Sequence, residues 1–122
     1  MNLAAIFIGG GLGSLCRYGI GKFIMSYDSS VLAYATLLSN VLSTIVLALF
    51  VYLFQEKMGL NEVWKFLLLT GFCGGLSTFS TFSFETFEML RNGQTALAFL
   101  NVFINVFLCL FVLYIIYKKS II

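Results

Sequence analysis

Apolar residues run almost unbroken through four segments of the chain, at about residues 3–25, 31–54, 62–90 and 96–117, and polar residues gather in short clusters between them. A helix of ~20 apolar residues crosses a bilayer. The runs are too long and too evenly apolar for barrel strands, and lipid tolerates only helices or closed barrels. The pattern therefore predicts an all-α membrane protein with one domain of four transmembrane helices. The connections fall at 26–30 with Asp28, at 55–61 with Glu56, Lys57 and Gly59, and at 91–94 with the turn dipeptide Asn92-Gly93. The third segment is longer than a plain crossing needs, which predicts an interrupted helix.

Composition narrows the function. Of 122 residues, 61% are hydrophobic and 10% charged, against roughly 25% charged in a soluble domain. Four spans consume ~80 residues, which leaves no length for a soluble catalytic domain, so no enzyme is expected. His is absent, which removes the usual general base, and so is Pro, so a helix break falls to Gly. Cys16, Cys73 and Cys109 lie in apolar runs and read as small packing residues. A net charge of +2 without a basic block gives nothing for nucleic acid to bind. Four crossings put Lys57, Lys65, Lys118 and Lys119 on one side of the membrane and Lys22, Arg91 and Arg17 on the other. Orientation normally follows a clear Lys/Arg excess. Near balance predicts insertion both ways up, and with it an antiparallel, dual-topology dimer.

Polar residues at membrane depth are costly and therefore informative. In the first span, Gly9 and Gly13 form G-x-x-x-G, a close-packing pattern. Arg17 leaves two roles open: a snorkelling interfacial cation, or a positive group at an anion entrance or helix contact. In the second span, Thr36, Asn40 and Ser43 share a helical face, with Asn40 near mid-membrane. The third span holds Gly71, Gly74 and Gly75 and then Ser77-Thr78-Phe79-Ser80-Thr81-Phe82-Ser83-Phe84-Glu85. The glycines are the expected site of unwinding, and the carbonyls freed near Gly74 and Ser77 suit a cation. Phe79 and Phe82 share a face among hydroxyls, and the positive edge of a Phe ring can meet a dehydrated anion. Glu85 and Glu88 close the span and read as a water-exposed end. In the fourth span, Asn101, Asn105 and Cys109 lie along one face.

Taken together, these are neutral donors with no charge committed at mid-membrane. A proton-coupled transporter or a cation channel would place a carboxylate there. An anion pathway uses the hydroxyls, amides and ring edges together. Two alternatives stay open: a small dual-topology drug or cation antiporter, which needs a carboxylate in its first span, and a non-conducting packing subunit.

The string G-F-C-G-G-L-S-T-F-S-T-F-S-F-E from Gly71 to Glu85, with G-S-L-C-R-Y from Gly13 to Tyr18 and the Asn-centred second span, closely resembles the Fluc (CrcB) fluoride channels. The resemblance covers essentially the whole chain. It implies passive export of cytoplasmic fluoride through the cell membrane, relieving its toxicity, by an antiparallel homodimer with two pores lined by both subunits. Phe79 and Phe82 match the fluoride-contacting phenylalanines, and Asn40 the pore asparagine. Ser80, Thr81 and Ser83 match the hydroxyl stretch beside the pore, and Asn105 a pore-facing position. Gly74 and Ser77 match the positions whose carbonyls hold a structural sodium ion at the dimer interface. Glu85, Arg17 and Asn101 are further candidates. The chain departs from the family pattern at Ser43, Leu108 and Cys109, and Asn101 and Asn105 fall at positions that vary among relatives. A heterodimer with a paralogue is thus the alternative to the homodimer.

Overall fold

The structure is a computed structural model that describes residues 1–28, 32–54, 59 and 61–121. Parts of the first two polar connections, including Glu56 and Lys57, lie outside the described residues. Helix α1 is Asn2–Met25, and α2 is Leu32–Leu49, prolonged by a π-helical turn at Phe50–Phe54. Helix α3 covers 62–76 as an α-helical turn Glu62–Lys65, a π-helical stretch Phe66–Cys73 and a last α-helical turn Gly74–Leu76. After a break come α4, Ser80–Arg91, and α5, Thr95–Ile121. Four helical stretches are long and apolar enough to cross a membrane: Asn2–Met25, Ala33–Leu53, Glu62–Arg91 (α3 with α4) and Thr95–Ile121. The chain is an all-helical, multi-pass membrane protein.

Local chemistry marks the ends of the third crossing. Asn61 Oδ1 accepts the Val63 N–H at 3.4 Å and opens α3, as an N-cap does. Gly93, at φ 78°, ends α4 in the left-handed region. Its N–H reaches the Leu90 carbonyl and that of Gln94 the Met89 carbonyl, the Schellman pattern that meets a helix's last acceptors.

Helix α1 packs chiefly on α3, and α2 lies against α1 and α5, with α4 on α5. The α1–α3 contact is backbone on backbone. A Cβ at Gly9 would collide with the Leu67 carbonyl, one at Gly13 with the Phe72 carbonyl and one at Gly75 with the Gly10 carbonyl, and one at Gly71 would lie 2.9 Å from the Gly9 Cα. Two G-x-x-x-G pairs, Gly9/Gly13 and Gly71/Gly75, thus face each other. Apolar burial gives little drive inside lipid, so this close approach and its dispersion contacts hold the two helices together.

That packing corrects the expectation that the glycines unwind the third span. Gly71, Gly74 and Gly75 all lie in helical backbone, and the break comes after them, at 77–79. Seen from outside, α5 exposes Phe99, Phe103, Phe107 and Phe111 at four-residue spacing. Such a stripe suits lipid or another protein chain rather than water.

Gly9→Ala is expected to destabilise the protein in detergent by ~1–3 kcal/mol, the typical cost of overpacking. Gly11→Ala, where a Cβ meets open space, should be neutral or slightly stabilising, since Ala is the better helix former. Thermal unfolding of the two variants checks both.

Candidate functional site

The break between α3 and α4 is built from side chains that replace helical hydrogen bonds. Ser77 adopts extended backbone, φ −76° and ψ 155°. The Thr78 N–H, which a continuing helix would send to the Gly74 carbonyl, donates instead to Asn40 Oδ1 at 2.8 Å. The Thr81 N–H donates to Thr78 Oγ1 at 3.2 Å, so the Ser77 carbonyl also loses its helical donor. The Cys73 carbonyl is well supplied, by Ser77 N–H at 3.0 Å and by the Ser77 and Ser43 hydroxyls at 2.8 Å each. Asn40 in turn donates through Nδ2 to Asn105 Oδ1 at 3.1 Å. One face of α2 therefore stitches the break: Thr36 to Glu85, Asn40 to Thr78 and Ser43 to Cys73.

Two cavities flank the break, and Thr78 lines both. The first, about 280 Å³, is lined by Asn40, Thr44, Ser77, Thr78, Phe79, Phe82, Asn105, Val106 and Cys109. It brings amides, hydroxyls and aromatic rings together with no carboxylate, lysine or arginine. The Phe79 and Phe82 rings lie 5.8 Å apart between centroids, tilted by 49°. Phe82 is packed away at 9% exposure, whereas Phe79 stands out at 80%. The second cavity, about 270 Å³, is charged: Arg17 and Glu85 line it with Ser14, Thr36, Ser39 and Thr81. Arg17 Nε donates to the Gly75 carbonyl at 3.1 Å, so this arginine closes the α1–α3 contact.

Of the residues singled out from the sequence, Asn40, Phe79, Phe82, Asn105 and Ser77 share the first cavity, while Thr81, Arg17 and Glu85 share the second. Ser80 and Ser83 are exposed and line neither, and Gly74 is exposed beside open space. Asn101 lies behind Asn105, which it meets at 3.1 Å. Glu85 corrects the expectation of a water-exposed end. It is half-buried, takes the Thr36 hydroxyl at 2.7 Å and holds Oε2 buried without a partner among the described residues. Its position six residues before the end of α4 draws it into the bundle. Thr78 was not singled out, although it is the residue on which both cavities meet. Its signal was a hydroxyl three residues after Gly75 and three before Thr81, in a stretch where hydroxyls can cap a new helix. No cluster of three metal-ligating His, Cys, Asp or Glu side chains occurs among the described residues.

The first cavity offers hydrogen-bond donors and positive ring edges without a competing negative charge, an environment for a small anion rather than a cation. Comparison with known proteins gives the same direction. Residues 4–117 match the family described as "CrcB-like protein, Camphor Resistance (CrcB)". A relative from Pyrococcus horikoshii, named "Fluoride-specific ion channel FluC", is 41% identical over 92% of this chain and 89% of its own length. Relatives of the same name from Pyrococcus abyssi and Pectobacterium carotovorum are 46% and 44% identical, over 87% and 85% of this chain and 87% and 81% of their own.

Asn40→Ala should cost ~1–3 kcal/mol of stability, because it leaves the Thr78 N–H unmet inside the membrane. Ser43→Ala should cost under ~1 kcal/mol, since the Cys73 carbonyl keeps two other donors. Unfolding in detergent ranks the pair, and a Ser43→Ala loss as large as that of Asn40→Ala would contradict this account of the break.

Proposed function

The chain belongs to the CrcB family, and from that premise we propose that it is a passive fluoride channel exporting cytoplasmic fluoride across the cell membrane. The observation that carries the proposal is the uncharged first cavity, lined by two asparagine amides and two phenylalanines, in a chain whose relatives are named fluoride-specific channels. Fluoride enters cells from acidic surroundings as neutral HF and is trapped in the more nearly neutral interior as the anion. An open path lets it leave down its electrochemical gradient without nucleotide or redox cofactor.

The chemistry asked of the pore is replacement of fluoride's hydration shell. Asn40 supplies an amide N–H, which Asn105 at the cavity wall orients by accepting through Oδ1, and Phe82 and Phe79 supply ring edges, with Ser80, Thr81 and Ser83 as hydroxyl donors along the path. The firmly packed Phe82 would hold its edge in place, while the exposed Phe79 calls for a neighbour. We assign that neighbour to a second, inverted copy. The near-balanced Lys/Arg count supports dual topology, and an antiparallel homodimer would close two such pores, each lined by both subunits.

A structural sodium ion at the dimer interface fits the residues present. The break takes helical donors away from the Gly74 and Ser77 carbonyls, whereas the Cys73 and Gly75 carbonyls are occupied. Unmet carbonyls at a helix C-terminal end favour a cation. Gly74 and Ser77, from both copies, would supply the oxygens. When bound, the ion would neutralise carbonyl dipoles brought face to face. Glu85, the half-buried carboxylate, lies in the third crossing and not in the first, where the antiporter reading needs one.

Liposomes holding this protein alone should release fluoride and retain chloride, with no proton-coupled efflux of a cationic dye. Phe82→Ala should slow fluoride release at least roughly tenfold, the factor given by ~1.4 kcal/mol of lost stabilisation, while leaving the dimer intact on gel filtration. Absence of fluoride release from the unmodified protein overturns the homomeric channel. Reporters fused to the C-terminus should appear on both sides of the membrane, and a single orientation would refute dual topology.

A further inference from the structure

A run of hydrogen bonds leaves the main chain at Thr78 and returns to it at Phe82, bracketing the Phe79–Phe82 pair. The Thr78 N–H donates to Asn40 Oδ1 at 2.8 Å, and Asn40 Nδ2 donates to Asn105 Oδ1 at 3.1 Å. Asn105 Nδ2 donates to Asn101 Oδ1 at 3.1 Å and to the Asn101 carbonyl at 2.9 Å. Asn101 Nδ2 donates to Thr86 Oγ1 at 3.0 Å, and the Thr86 hydroxyl donates to the Phe82 carbonyl at 2.8 Å. All the links point the same way.

An asparagine amide has nearly the same shape whichever way it is turned, so its partners decide which end is the donor. Both ends of this run settle the matter independently. A backbone N–H only donates, so Asn40 must face Thr78 with oxygen, and Asn105 must then face Asn40 with oxygen. A backbone carbonyl only accepts, so Thr86 must give its proton to Phe82 and receive one from Asn101. The two constraints agree, and the polarity of every amide between them follows. The result leaves Asn40 with a second N–H, only loosely engaged at 3.5 Å from the Thr78 carbonyl, at the cavity that Phe79 and Phe82 line.

We propose that Thr86 and Asn101 are positioning residues for the anion path: they hold the Asn105 amide, and through it the Asn40 amide, with its donor offered to the ion. This rests on the channel reading above. Neither residue lines the first cavity, and both act through Asn105. A turned Asn105 would set its NH2 against that of Asn40. With the outer links intact, turning also sacrifices the two Asn105 bonds to Asn101, or the Asn101 bond to Thr86 where Asn101 turns to follow. With an outer link cut, turning costs one interaction less, and the donor is offered for a smaller fraction of the time. Bonds in such a chain also polarise one another, so a distant loss weakens the near ones.

Fluoride efflux from liposomes tests this with variants that keep shape and charge. Thr86→Val removes only the hydroxyl and should slow efflux at least roughly fivefold, the factor for about one hydrogen bond's net worth. Thr86→Ser restores the hydroxyl and should recover the unmodified rate, which a purely packing role for Thr86 would not require. Asn101→Leu should be slow, and adding Thr86→Val to it should change nothing further, since the run is already cut. Exchange of the Thr78 amide hydrogen should be faster in Thr86→Val by a similar factor and unchanged in Thr86→Ser. Efflux at the unmodified rate in Thr86→Val, a Thr86→Ser variant as slow as Thr86→Val, or additive losses in the double variant overturns the proposal. Should Asn101→Leu fail to assemble, the two Thr86 variants decide alone. An unmodified protein that releases no fluoride refutes the channel reading instead, and the Thr78 exchange rates then judge the relay by themselves.

Discussion

A helix can be interrupted inside a hydrocarbon layer only if the backbone groups it frees find partners, and here the Thr78 N–H finds one side-chain oxygen, Asn40 Oδ1, at 2.8 Å. Everything that distinguishes the third crossing depends on that bond. It stops α3, lets Thr78 Oγ1 start α4 by taking the Thr81 N–H, and strips the Gly74 and Ser77 carbonyls of their helical donors. It also commits the Asn40 oxygen, so that what Asn40 can offer elsewhere is N–H. A residue that repairs the backbone thereby becomes a donor by necessity. Short hydroxyl side chains serve the same stretch: Thr78 takes the Thr81 N–H, and Ser43 and Ser77 add donors to the Cys73 carbonyl, reaching backbone atoms locally and leaving no charge behind.

The break would not be placed so accurately without the seam beside it. Gly9 and Gly13 on α1 meet Gly71 and Gly75 on α3 at backbone contact, and Arg17 ties the end of that seam to the Gly75 carbonyl. A close contact along several turns leaves α3 little freedom to slide or rotate. Its last turn is thus presented to α2 at a defined height, where Asn40 and Ser43 can reach it. The glycines serve the break by holding the helix that ends there.

Much of this was legible in the sequence, and the gaps have physical causes. Four spans, a third span longer than needed, and Asn40, Phe79 and Phe82 as residues of interest all follow from periodicity, length and the cost of polar groups in lipid. The position of the break does not, because glycine both permits unwinding and permits close packing, and only the location of α1 decides between them. Glu85 was misplaced for a related reason. Distance from the end of a span says how deep a residue lies along the helix, but not which way it faces, and Thr36 on another helix supplies the partner. The order of the amides was illegible altogether: Asn101 and Asn105 at four-residue spacing reveal a shared face, whereas their polarity is dictated by Thr78 and Phe82, two backbone groups on a different crossing.

The division of charge between the two cavities bears on how a proposed fluoride path would discriminate. The second cavity holds one cation and one carboxylate, Arg17 and Glu85, so its net attraction for an anion is small while its dipoles keep it hospitable to water and ions. The first cavity holds neither sign. An anion moving from one to the other would leave water for fixed neutral dipoles, and no cation would bind it tightly enough to hold it. Under those conditions selection rests on how closely donors can surround the ion once it is dehydrated, which favours the smallest halide only if the donors do not shift to suit a larger one. Rigidity of amide orientation is then the quantity under control. That is a reason for a hydrogen-bonded run anchored to the backbone at both ends, where a lone asparagine on a helix face would be free to turn.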